Sequence, residues 1–218
     1  MRIDEYQTLA LTTKNTQLSS HFRVIAAFIE KARPEDPQIE GDHYMDFLAK
    51  IQFQQMAVTG KGGEMGELLD LLADHSPHSI PDKFKSELGD MCWYTATCAN
   101  AFGFLLSEVL GVSTFSDFHA RMPKIMRGDA TYYERKLAGE VGKFIDYMKK
   151  VWFHDHPVDL TVVKSKLEII ACQLRDYAWV SGGHLLEDVA RGNIEKLKKR
   201  YPKGFEAARS INRVEETV

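Results

Sequence analysis

Two short acidic motifs hold most of the chemical information in this chain. Glu64 and Glu67 lie three residues apart, and so do Glu87 and Asp90. On a helix, that spacing puts both carboxylates of a pair on one face. Met65, Leu68, Leu69 and Leu72 set the apolar stripe of the first helix, and the two glutamates border it on either side of Leu71. The second pair opens a different kind of segment. From Met91 to Ser107 the chain runs seventeen residues without a charge, so that helix is expected to be buried, with its acids confined to the first turns. Carboxylates are rarely buried unless paired or bound to a cation. Four of them at one helix–helix junction would repel one another and raise their own pKa values. A hard divalent cation resolves the conflict. Oxygen-only ligands with open positions suit Mg²⁺, with Mn²⁺ as a substitute, and such an ion commonly completes its shell with substrate phosphate oxygens. It would polarise a phosphorus centre and lower the pKa of an attacking water. For a single Glu-x-x-Glu, a solvated helix face is the ordinary explanation. Two pairs on neighbouring helices, one of them buried, favour the metal. Gly62, Gly63 and Gly66 are expected to thin the first helix so that a backbone or ligand approaches closely, with helix packing an equal explanation for Gly66.

The elements that must position these residues are helical. Apolar spacing places helices at about 3–13, 18–32, 43–59, 62–74, 82–110, 115–122, 130–151, 159–181, 184–200 and 204–210. The seven prolines all fall in polar breaks between them. The reading is an all-α chain, residues 1–218 forming a single domain. Within it, GGEMGELLDLL (62–72) returns as AGEVGKFIDYM (138–148), KSEL (85–88) as KSKL (164–167), and LLSEV (105–109) as LLEDV (185–189). Matched His- and Pro-containing loops, DHSPHSIPD (74–82) and HDHPVD (154–159), lie between. These matches imply a degenerate duplication, with one copy over about 43–112 and the other over about 130–205. One helix pair cannot bury its apolar stripe alone, so two copies packed together would make a four-helix core.

Composition excludes several classes. The 218 residues are 44% hydrophobic and 27% charged, with a formal net charge of −3. This is an ordinary globular balance without the basic excess that nucleic acid or a membrane surface would ask for. Three cysteines without a Cys-x-x-Cys pair, Cys92, Cys98 and Cys172, argue against a disulfide framework or a thiolate zinc site. With no signal-like or spanning segment, the expectation is a cytoplasmic protein.

KGGEMGELLD (61–70) followed by KSELGDMCWY (85–94) resembles the ExxE…ExxD signature of the MazG-like all-α nucleoside triphosphate pyrophosphohydrolases. GNIEKLKKRYPKGF (192–205) with RSINR (209–213) resembles the tail of that family, and MRIDEYQTLAL its first helix. The resemblance covers most of the chain, least clearly 14–60 and 111–130. It implies a four-helix-bundle core of the all-α NTP pyrophosphatase type. It also implies cleavage of a nucleoside triphosphate between the α and β phosphates, with Glu64, Glu67, Glu87 and Asp90 as Mg²⁺ ligands. One of these acids, or a neighbour, would direct the attacking water. Lys83 is implied as a phosphate-facing residue, Tyr94 as a contact near the nucleotide, and Asn193, Lys196 and Arg200 as phosphate contacts. Positions 193, 196 and 200 also share one helical face by spacing alone, although a basic last turn is equally what the helix dipole favours. Self-association into a dimer or higher oligomer is expected from apolar faces in such bundles.

This sequence departs from the family pattern in its second copy, which keeps Glu140 but has Lys143 at the position of Glu67. Lys166 or Glu168 stands near the Glu87 position, and Ile169 or Ala171 near that of Asp90. The expectation is a division of labour: acids from the first copy, basic tail from the second, and one site in a pseudo-dimer, with Lys143 a fixed positive charge near it. Hydrolysis of another pyrophosphate-containing metabolite and a non-catalytic nucleotide-binding or oligomerisation module are the alternatives. The loop histidines His75, His78, His154 and His156, and His43 beside Asp42, lack zinc-site spacing. Trp93, Trp152 and Trp179 read first as core residues. A P-loop is missing, and no Glu-x-x-His pair of the kind a di-iron bundle uses stands near these acids.

Overall fold

The computed structural model describes residues 1–14 and 41–206, with only the backbone for 41–45 and 47. The described residues form eight helices: α1 (Ile3–Leu11), α2 (Gly41–Asp74), α3 (Pro81–Ala101), α4 (Leu106–Leu110), α5 (Phe115–Ala120), α6 (Ala130–Phe153), α7 (Leu160–Gly182) and α8 (Leu186–Arg200). Among these residues, extended pairing is limited to two isolated bridges, Arg2 with Thr114 and Pro202 with Gly204. The expected all-α class is what the chain adopts, and no described helix is long and apolar enough to cross a membrane. The helix expected at 18–32 lies outside the described residues. So does most of the one at 204–210, and residues 204–206 are not helical.

Local chemistry sets several of the ends. Pro81 occupies the first turn of α3, where its missing N–H is not needed. Thr114, Asp129 and Asp159 cap α5, α6 and α7 by accepting from backbone N–H groups of the first turn. Gly183 ends α7 in the left-handed region at φ 67°.

Two elements differ from expectation. The helices expected at 43–59 and 62–74 are one, because α2 runs unbroken through Gly60-Lys61-Gly62-Gly63. Packing compensates for the poor helix propensity of that run. A Cβ on Gly60 would stand 2.1 Å from the Tyr94 ring, and one on Gly62 would stand 2.6 Å from Ile145, so the glycines let α3 and α6 close in. Gly63 and Gly66 meet nothing within 4 Å, so for them the expectation of a close protein approach is not met. The helix expected over 82–110, in turn, is two. It stops at Ala101, turns through Gly103 at φ 83°, and restarts as α4 after Leu105.

Four long helices pack in a ring: α2 on α3, α3 on α7, α7 on α6 and α6 on α2, with α8 also against α3. Helix α3, uncharged from Met91 onward, is indeed the most enclosed, with Leu88, Met91, Ala96, Cys98 and Ala99 fully buried. The cysteines are reduced core residues, their thiols pushed up by burial to about 12 at Cys92 and about 11 at Cys98. Helix α1 pins the α3–α4 turn. Gln7 donates to the carbonyls of Ala96 (3.2 Å) and Phe104 (3.1 Å) and accepts from Leu106 N–H (2.9 Å), and Asp4 accepts from Ser107 N–H and Oγ.

Candidate metal and phosphate site

The two acidic motifs meet where α2 crosses the start of α3. One carboxylate oxygen each from Glu64, Glu87 and Asp90 falls within a mutual separation of 4.8 Å, all three side chains half-buried. Glu67 faces the same cavity from the exposed side of α2 but is not one of the three. Among the described residues the histidine loops make no such group. The electrostatics match the crowding. Burial, then the charges of Asp90, Glu67 and Glu87, push the Glu64 carboxyl up to about 8, with Lys196 opposing. Glu87 is raised by burial and by Asp90.

Helix α8 closes the site. Asn193 Nδ2 donates to Asp90 Oδ1 (2.9 Å), and Lys196 Nζ to Asp90 Oδ2 (2.5 Å) and Ser86 Oγ (3.1 Å). Arg200 lines the same cavity. The shared face inferred for 193, 196 and 200 is therefore the face turned to the acids. Asn193 is only 3% exposed and sits so closely on Gly89 that a Cβ there would be 2.9 Å from its own Cβ. Its Oδ1 is buried and accepts no hydrogen bond, an orphaned acceptor beside Asp90 of the kind a bound water or ligand would satisfy.

The cavity has a volume of about 390 Å³ and two unlike kinds of lining. The acids and the α8 cations are one. The other is apolar and aromatic, made by Met56, Trp93, Tyr94, Tyr201 and Phe205. Tyr94, singled out in the sequence, packs edge-on against Trp93 with centroids 4.7 Å apart. Trp93 departs from its core reading, as does Trp179, which is 38% exposed. Trp93 is half-buried, lines the cavity, and is fixed by donating Nε1–H to Ala10 O (2.9 Å) and Thr13 Oγ1 (3.1 Å). Tyr201 and Phe205 were not singled out in the sequence. Their one signal is that two aromatics closely follow a basic helix.

Two sequence expectations fall elsewhere. Lys83 is exposed and lines an adjoining groove of about 340 Å³ with Asp70, Asp74 and His75, which shares Glu67 and Glu87 with the cavity. Lys143 is paired with Glu140 one turn away at 2.8 Å and is not among the residues lining the cavity, so the fixed charge expected from it is not delivered there. No family model, curated protein or solved structure matches the chain, and function is inferred from the site itself.

Proposed function

We propose that this protein uses Glu64, Glu67, Glu87 and Asp90 to hold Mg²⁺, with Mn²⁺ as a substitute. In this reading it hydrolyses a nucleoside or deoxynucleoside triphosphate to the monophosphate and pyrophosphate. The carrying observation is one cavity lined by three converging carboxylates, by cationic side chains and by aromatic rings. That combination matches a molecule with a polyanionic chain and a flat ring. A bound cation supplies charge neutralisation on the phosphates and a water of lowered pKa. Asn193 holds Asp90 in place, Lys196 and Arg200 orient the phosphate chain, and Trp93 and Tyr94 offer faces to the base. A carboxylate of the cluster takes the proton as the water oxygen bonds to the α phosphorus. The α–β bridging bond breaks, and pyrophosphate leaves.

A fold of the all-α NTP pyrophosphatase type, built by duplication, belongs to the same proposal. It is supported by the ring of four long helices and by the paired turns before α4 and α8. Each turn has a left-handed glycine, Gly103 or Gly183, two residues before an extended Leu105 or Leu185. A second reading is favoured by the Lys196–Asp90 pair: an ion-paired nucleotide-binding module without turnover.

The test is pyrophosphate release from a panel of ribo- and deoxynucleoside triphosphates, with Mg²⁺ and with EDTA, beside Glu67→Gln. Mg²⁺-dependent monophosphate formation, lost by about 10²-fold or more in the variant, supports the proposal. Binding without turnover across the panel supports the module. Silence toward nucleotides with turnover of another pyrophosphate compound moves the substrate class.

A further inference from the structure

Resting on that reading of the site, we propose that Lys196 occupies Asp90 in place of the cation's charge, and that the phosphate chain of an incoming substrate draws Lys196 away to release Asp90 to the metal. The geometry carries it. Lys196 Nζ lies 2.5 Å from Asp90 Oδ2, while Asn193 Nδ2 takes Oδ1 at 2.9 Å. Both oxygens of one of the three converging carboxylates are thus already held by α8. An ammonium and a divalent cation on the same oxygen repel strongly in a half-buried setting, so occupancy of Oδ2 is close to exclusive.

The two α8 contacts differ in freedom. Asn193 is buried and wedged on Gly89, so it is fixed. Lys196 has a side chain 24% exposed at the cavity wall, a flexible four-carbon stem and a point charge that phosphate oxygens accept well. Ser86 Oγ, its other partner at 3.1 Å, is a neutral group that offers little to hold it back. The buried Asn193 Oδ1 beside Asp90 accepts no hydrogen bond, an acceptor that a bound water or ligand would satisfy. The consequence is linkage. Polyphosphate raises metal affinity and metal raises polyphosphate affinity by the same factor, and part of that factor depends on Lys196.

Calorimetric titration of Mn²⁺ alone into the wild type, Lys196→Met and Lys196→Gln tests the first half. The expected result is about tenfold tighter Mn²⁺ binding in both variants, the scale of one hydrogen bond to a charged group, with binding weakened in Asp90→Asn. Titration of tripolyphosphate in EDTA tests the second half. Asp90→Asn should bind it several-fold more tightly than Glu87→Gln, which removes the same charge but leaves the Lys196 pair intact. Equal Mn²⁺ affinity in wild type and both Lys196 variants overturns the exchange and leaves the cation site standing. No Mn²⁺ binding in any of them overturns the cation site, and the exchange with it. Equal tripolyphosphate gains in Asp90→Asn and Glu87→Gln overturn the release step.

Discussion

Lys61 shows how far a single residue can stand from its ordinary role. Its side chain is fully buried between α2 and α3, where Nζ donates to Thr95 Oγ1 at 2.5 Å. Desolvation lowers its pKa to about 8. Between about 8 and its ordinary value of 10.5, the unfolded chain holds a proton that the folded protein does not, so this residue makes stability rise with pH across that window. Lys61→Leu should abolish that rise and stabilise the protein by roughly 1–4 kcal/mol near neutral pH. Denaturant unfolding of both proteins near pH 7 and near pH 10 checks it, and an unchanged slope would show that Lys61 stays charged. Glu64 has the opposite sign. Its folded pKa of about 8 exceeds its ordinary 4.5, so the folded protein holds the extra proton and metal-free stability falls as pH climbs between those values. A cation needs the carboxylate form, so the thermal shift given by Mn²⁺ should grow from about pH 6 to about pH 8.5. A shift independent of pH would remove Glu64 from the ligand set. At this scale the acids and α8 residues were legible because spacing alone aligns them. Lys61 was not, since nothing in a helical period says that a lysine between glycines points inward.

Within elements, the glycines of α2 separate into two kinds that look identical in sequence. Gly60 lies under Tyr94 with no room for a methyl group, whereas Gly63 and Gly66 face open space. Gly60→Ala should destabilise by about 1–3 kcal/mol through the displaced Tyr94 ring. Gly66→Ala should stabilise by about 0.5–1 kcal/mol through helix propensity. Thermal melts decide both, and stabilisation by Gly60→Ala would contradict the close approach. A fall in turnover of Gly66→Ala despite its higher melting temperature would show that substrate passes over that face. The same glycines explain one boundary error. A Gly-Lys-Gly-Gly run reads as a break, and only the partners across it, Tyr94 and Ile145, make it continuous helix. The opposite error, at Gly103, arose because apolar residues run on through the turn. The N–H and carbonyl groups freed there are taken by Gln7, ninety-odd residues away in sequence.

For the molecule as a whole, the two halves contribute differently to the cavity. The first half brings the acids and the second brings α8, while Glu140 is answered locally by Lys143. Glu140→Gln should therefore leave pyrophosphate release within about twofold of wild type, as a surface ion pair contributes little. Loss of turnover in that variant would mean a second working site. The pairing of Glu140 was readable in the substitution of Lys143 at the position of Glu67. Apart from Tyr94, the cavity's aromatic lining was not, because it is gathered from α2, α3 and the turn after α8, and only packing brings those segments together.

The placement of Trp93 has a practical use. Its indole is anchored to α1 and faces the cavity, whereas Trp152 and Trp179 are not among the residues lining it. With those two replaced by phenylalanine, Trp93 becomes the single tryptophan of the chain, excited apart from the tyrosines at the red edge of its absorption. Its quenching or spectral shift would report occupancy in real time, without a label and whether or not any bond is cut.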